Sequence, residues 1–155
     1  MMKMMKKVLL WLFPVMMFLP AGAEDKVIQL PLTSGNYFLY SNGPVTGKLV
    51  EETRGLRLDY QFAPEAGAGD FIAIGFHRRV AGVPECLLFE VESPETGPRV
   101  AVRYRDSMKE TFQKDQKAVV SGLNRYSVSL NASSVHWGGN GDGIVDVPAV
   151  PDSVV

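Results

Sequence analysis

The residues best suited to chemistry are concentrated in Ser134-Val135-His136-Trp137-Gly138-Gly139-Asn140-Gly141-Asp142-Gly143. Glycines packed this closely around a tryptophan do not suit a regular strand or helix, because glycine loses the most backbone entropy on ordering. The pattern predicts a loop that presents an aromatic platform. An indole face can stack on the apolar C–H face of a sugar, while His136 and Asn140 hydrogen-bond its hydroxyls. In the competing arrangement Trp137 plugs one end of the fold and the glycines let the chain turn tightly over it. Asn140-Gly141-Asp142-Gly143 also has the oxygen-rich character of a calcium loop, with Asp142 as the candidate ligand of a structural calcium, although EF-hand spacing is absent. Plain Asn-Gly and Asp-Gly turns account for it equally.

A second group is Arg57, Arg99, Arg103 and Arg105, with Asp59. These residues line the polar faces of strands and could form one groove floor that grips hydroxyl or carboxylate groups through the guanidinium fork. Arg103 and Arg105 are the candidate polar contacts. Cross-strand ion pairing on a wet face is the simpler explanation, each pair contributing well under about 1 kcal/mol.

The catalytic inventory is thin. The two histidines, His77 and His136, have no spacing suited to a transition metal, and no serine or cysteine sits in a nucleophile elbow. Asp59, Glu90, Glu92 and Asp106 could supply a paired-carboxylate hydrolase, which requires two acids together in a cleft. A small glycan-active enzyme is therefore the minority expectation, and a chain with no catalytic residues the main one.

The elements that must position these groups are strands. Apolar residues alternate with a period of two almost throughout, and no window sustains helical spacing. In Gly55–Phe62, Leu56, Leu58, Tyr60 and Phe62 share one face, with Arg57, Asp59 and Gln61 on the other. Arg99–Asp106 points Val100, Val102 and Tyr104 inward, and Arg125–Leu130 does the same with Tyr126, Val128 and Leu130. Asp70–His77 and Cys86–Glu92 are apolar on both faces and suit central positions, Cys86 serving as a small hydrophobe. Weaker strands are expected at Val27–Leu32, Tyr37–Tyr40, Lys48–Thr53, Thr111–Lys114 and Gly143–Val147. With turn residues between them, these make an all-β, two-sheet antiparallel β-sandwich. Pro148 and Pro151 remove ladder donors near the end. The tail is expected to form a short edge strand, or the chain to lack its C-terminal continuation.

Residues 1–23 are set apart. Lysines precede the apolar run Val8–Leu19, and Ala21-Gly22-Ala23 offers small residues for cleavage, so this stretch is expected to be a signal peptide with the mature chain beginning at Glu24. The run is too short to span a bilayer, and no transmembrane segment is expected after cleavage. The mature chain, 24–155, has single-domain size. The full chain carries 16 basic and 17 acidic residues, and losing Lys3, Lys6 and Lys7 makes it more acidic, which argues against a nucleic-acid partner. Trp137 is then the sole tryptophan. Cys86 is the only cysteine, so no internal disulfide supports an exported, periplasmic or secreted protein.

The order of Gly47-Lys48-Leu49-Val50, Gly55 to Phe62, Arg99 to Asp106, Glu110-Thr111-Phe112-Gln113, and His136-Trp137-Gly138-Gly139 before Asp142-Gly143 resembles the galactose-binding-like jelly-roll domains. These are similar to carbohydrate-binding modules that accompany bacterial glycoside hydrolases. The resemblance runs from about Val27 to Val147. It implies a non-catalytic jelly roll with a sugar site on the concave sheet or in the edge loops, sometimes a structural calcium, and a catalytic module as neighbour. The expected function is an exported carbohydrate-binding module whose partner is a polysaccharide or oligosaccharide. The alternative is a structural or interaction domain with no ligand of its own.

Overall fold

A computed structural model describes residues 6–10, 33–77, 85–97 and 99–155, the first of these by backbone only. The chain folds as two packed antiparallel sheets. The strands are β1 (Lys6–Leu10), β2 (Tyr37–Asn42), β3 (Val45–Glu52), β4 (Gly55–Phe62), β5 (Phe71–Phe76), β6 (Cys86–Ser93), β7 (Arg99–Arg105), β8 (Glu110–Ala118), β9 (Gly122–Ser129), β10 (Val135–Gly138) and β11 (Val150–Val154). The smaller sheet has the order β3-β4-β1-β6-β9 and the larger β10-β8-β7-β11-β5-β2.

Alternation decides which side chains meet between the sheets. Leu56, Leu58 and Tyr60 from β4, Leu87, Phe89 and Val91 from β6, and Tyr126 and Val128 from β9 pack against Tyr37, Ile74, Val102, Tyr104, Phe112 and Val154 of the larger sheet. β5 and β6 are internal strands, as their two-sided apolar character requires. Tight β7–β8 reversal places Lys109 at φ 67°, a left-handed conformation that costs energy for a residue with a Cβ.

Three expectations change at the C-terminal end. Val135–Gly138 is a strand, because β10 is an edge strand and only its β8 side must pair. Gly143–Val147 is irregular. The tail does not form an edge strand: β11 lies between β7 and β5, and the ladder irregularity between Pro151 and Ser153 accommodates the proline. β1, within the stretch read as a leader, pairs along β4 from Lys6 opposite Tyr60 to Leu10 opposite Leu56. The rest of that leader and Val27–Leu32 lie outside the described residues.

Phe71 and Ile72 of β5 and Arg99 and Val100 of β7 flank a cavity of about 420 Å³ floored by Leu58, Tyr60 and Phe62.

Two core tyrosines make alkaline pH destabilising. Burial pushes the Tyr37 hydroxyl from 10 to about 12, and burial together with the Glu95 charge does the same to Tyr60. The unfolded chain ionises first, so this stability is present below pH 10 and is lost as pH rises toward 12. The Tyr37 hydroxyl is buried with no hydrogen-bond partner. Tyr37→Phe should therefore raise neutral-pH stability by up to about 1 kcal/mol and flatten the alkaline decline. Urea midpoints at about pH 7 and pH 11 check this; a destabilised variant at neutral pH refutes it.

Candidate functional site

The outer face of the larger sheet collects side chains from almost every strand. On β10, Trp137 stands opposite Thr111 and His136 opposite Phe112. Strand alternation therefore turns Trp137 outward and His136 inward. Trp137 is 44% exposed, too open to be the plug of a core. On β7, Arg103 stands opposite Gln113 of β8 and Ser153 of β11. On β2, Phe38 and Tyr40 stand opposite Gly75 and Ala73 of β5.

Arg103 sits at the centre of this face. Its guanidinium carbon lies 4.2 Å from the Phe71 ring centroid and 5.3 Å from that of Trp137, within cation–π range of both. Its Nε donates to Gln113 Oε1 at 2.8 Å and its Nη1 to the Tyr40 hydroxyl at 3.4 Å. The Tyr40 hydroxyl is itself 2.7 Å from Ser153 Oγ. Phe38 stacks on Tyr40 at 5.8 Å, and Tyr40 meets Phe71 edge-on at 5.9 Å. The floor must be made of small residues. A Cβ on Gly75 would fall 2.3 Å from the Phe38 ring, so glycine lets that ring lie flat on the strand. Arg105, one turn of the pleat away, is paired with Asp152 at 3.7 Å.

Behind Trp137 the glycine-rich segment is anchored to a buried acid. Glu110, with no exposed surface, accepts through Oε1 from His136 Nδ1 at 2.5 Å and from the Gly143 amide at 3.2 Å. Asp106, also buried, accepts from the Glu110 amide at 2.8 Å and from the Asp146 amide at 3.2 Å. Gly139 crosses so close that a Cβ would lie 2.4 Å from the Glu110 nitrogen, and its φ is 52°; only glycine serves there. Asn140 Nδ2 donates to Asp142 Oδ2 at 3.0 Å and to Asp146 Oδ2 at 3.2 Å. Asp142 Oδ1 accepts from the Ile144 amide at 2.8 Å.

The expected site residues therefore separate. Trp137 and Arg103 come together on one face. Arg105 shares that face but is engaged with Asp152. His136 points inward to Glu110. Asn140 and Asp142 knit the loop, and an amide nitrogen lying between two carboxylates does not fit a calcium ion. Among the described residues no group of three or more His, Cys, Asp or Glu is placed to hold a metal. The proposed single floor of arginines is divided: Arg57 and Asp59 pair with each other on β4 of the smaller sheet, and Glu90 pairs with Arg125 there.

Phe38, Tyr40, Phe71 and Gln113 belong to the face and were not singled out from sequence. Their signal was the alternation of exposed aromatics on β2 opposite small residues on β5, readable only once those strands are known to pair. Such a face offers π surfaces with amide and guanidinium donors between them. No family model, curated protein or solved structure matches the chain. No helix of the described residues is long and apolar enough to cross a membrane.

Proposed function

We propose that this protein binds carbohydrate without acting on it, on the outer face of the larger sheet. The observation that carries this reading is the alignment of Trp137, Phe71, Tyr40 and Phe38 on one sheet face with Arg103 and Gln113 between them. From β10 to β2 the face crosses the full width of the sheet, about 24 Å at the usual strand spacing, which suits an oligosaccharide better than a single sugar. Rings stack on sugar C–H faces while the planar donors between them bond hydroxyls. The galactose-binding-like resemblance supports the same reading, as do the signal-like residues 1–23 for export. In this proposal the module serves a glycan-degrading system, beside a glycoside hydrolase catalytic module.

Trp137→Ala should weaken binding to the recognised polysaccharide by at least about 1 kcal/mol, roughly fivefold. Because Trp137 is half exposed, its thermal midpoint should stay close to that of the parent protein. Affinity gels across a polysaccharide panel, followed by calorimetry, measure this. Failure to bind any polysaccharide sinks the proposal.

One observation favours a second reading, an interaction domain with no ligand of its own. The cavity lined by Phe71 and Ile72 of β5, Arg99 and Val100 of β7 and Val154 of β11 has an apolar floor, a form that a neighbouring module could cover. Under that reading added sugars leave Trp137 fluorescence unchanged.

A further inference from the structure

Arg103 differs in its partners from other arginines of the two sheets. Arg57 is paired with Asp59 and Glu52, Arg125 with Glu90, and Arg105 with Asp152. No carboxylate of the described residues lies within 4.0 Å of the Arg103 guanidinium. All of its contacts are neutral: the Gln113 amide oxygen, the Tyr40 hydroxyl, and the Phe71 and Trp137 rings. These hold the group half-buried and in one orientation. Both protons of Nη2 and one of Nη1 are directed toward no acceptor among the described residues, at the end of the fork that matches a planar carboxylate.

The surrounding charges point the same way. Arg105 lies on the same face of β7, and Arg99 lines the cavity that Arg103 also lines. Of the nearby acids, Asp152 is engaged by Arg105 and by the Ser153 hydroxyl, and Asp70, which lines the same cavity as Arg103, Phe71 and Gln113, accepts from the Gly67 amide. The chain has a net charge of −1, yet this face carries an excess of cations.

We propose that the glycan bound here is acidic, with the carboxylate of a uronic acid residue received by Arg103 and the rings of Trp137 and Phe71 stacking on the sugars to either side. This rests on the glycan-binding reading. A positioned, uncompensated guanidinium adds little for a neutral sugar. For a uronate it supplies a charge-assisted, two-point contact, roughly twice as strong as a neutral hydrogen bond.

The test uses the full chain with oligomers of galacturonate, glucuronate and mannuronate, each beside its counterpart with the carboxyl reduced to a hydroxymethyl. In calorimetry at low salt, at least one acid form should bind about tenfold tighter than its reduced counterpart. The preference should shrink in about 0.5 M salt. Arg103→Gln should abolish the preference, lowering affinity for the acid form by about tenfold more than for the reduced form. Arg103→Lys, which keeps the charge but loses the fork, should restore part of it. If Arg103→Gln melts far below the parent, the acid-to-reduced ratio of the parent and the Arg103→Lys value decide instead. Equal binding of acid and reduced forms overturns the acidic ligand but leaves the glycan-binding reading standing. A sulfated neutral oligomer that binds as tightly as the uronate overturns the carboxylate specifically. Absence of binding to every acid and reduced form overturns the acidic ligand, and the polysaccharide panel then decides the glycan-binding reading.

Discussion

Phe112→Ala should cost about 3 to 5 kcal/mol of folding stability. Phe112 has no exposed surface. It stacks on Tyr104 at 5.4 Å with an interplanar angle of 11°, and on the inward-facing His136 at 5.9 Å. Removing the ring deletes the centre of a three-layer stack that joins β7, β8 and β10, and the close-packed walls can relax only partly into the void. A domain of this size has only about 5 to 15 kcal/mol in total. The variant should therefore shift the urea midpoint strongly, or fail to accumulate folded. Phe112→Leu, which retains much of the volume, should cost less than half as much. A loss below about 1 kcal/mol for Phe112→Ala would show that the stack does not organise the core.

Glu110→Ala should cost about 3 kcal/mol, because it removes a fully buried acceptor shared by two donors. Here it strands His136 Nδ1 and the Gly143 amide together. The loss should also reach the candidate site, since His136 and Trp137 are adjacent on β10 and the loop is tied to the sheet through the same carboxylate. Trp137 emission should shift in the folded variant. Glu110→Gln keeps an oxygen for these donors and should cost only about 1 to 2 kcal/mol. Glu110 Oε2 has no partner in the native protein, so the wild-type network is itself incomplete. Chemical denaturation of both variants measures the difference. If the alanine variant is no less stable than the glutamine variant, Glu110 is not the anchor.

Much of the fold was legible in the sequence. Period-two alternation marked β4, β7 and β9 and assigned their inward residues, and two-sided apolarity marked β5 and β6 as internal. Those inferences concern backbone geometry within a few residues, where alternation and burial are the same fact stated twice. The sequence was misleading where tertiary pairing overrides local preference. Val135–Gly138 is a strand despite Gly138 and the glycines that follow it, because β8 supplies a ladder and Gly139 passes against the Glu110 backbone. Gly143–Val147 has strand-forming residues but no strand beside it to pair with. Pro151 sits inside a sheet because the ladder shifts register beside it.

The candidate site divides along the same line. Trp137 and Arg103 were legible as residue types with suitable chemistry. That they meet, and that His136 faces away while Arg105 is occupied, depends on which strands are neighbours. Arg103 bonds Tyr40 across 63 residues of chain, a contact that no local pattern encodes. The sequence by itself determined a two-sheet β fold and which side of each strand faces the core. The tertiary structure alone decided which outward residues share a surface, because strand order is set by long-range pairing and packing between sheets, and alternation is the same whichever strands are adjacent.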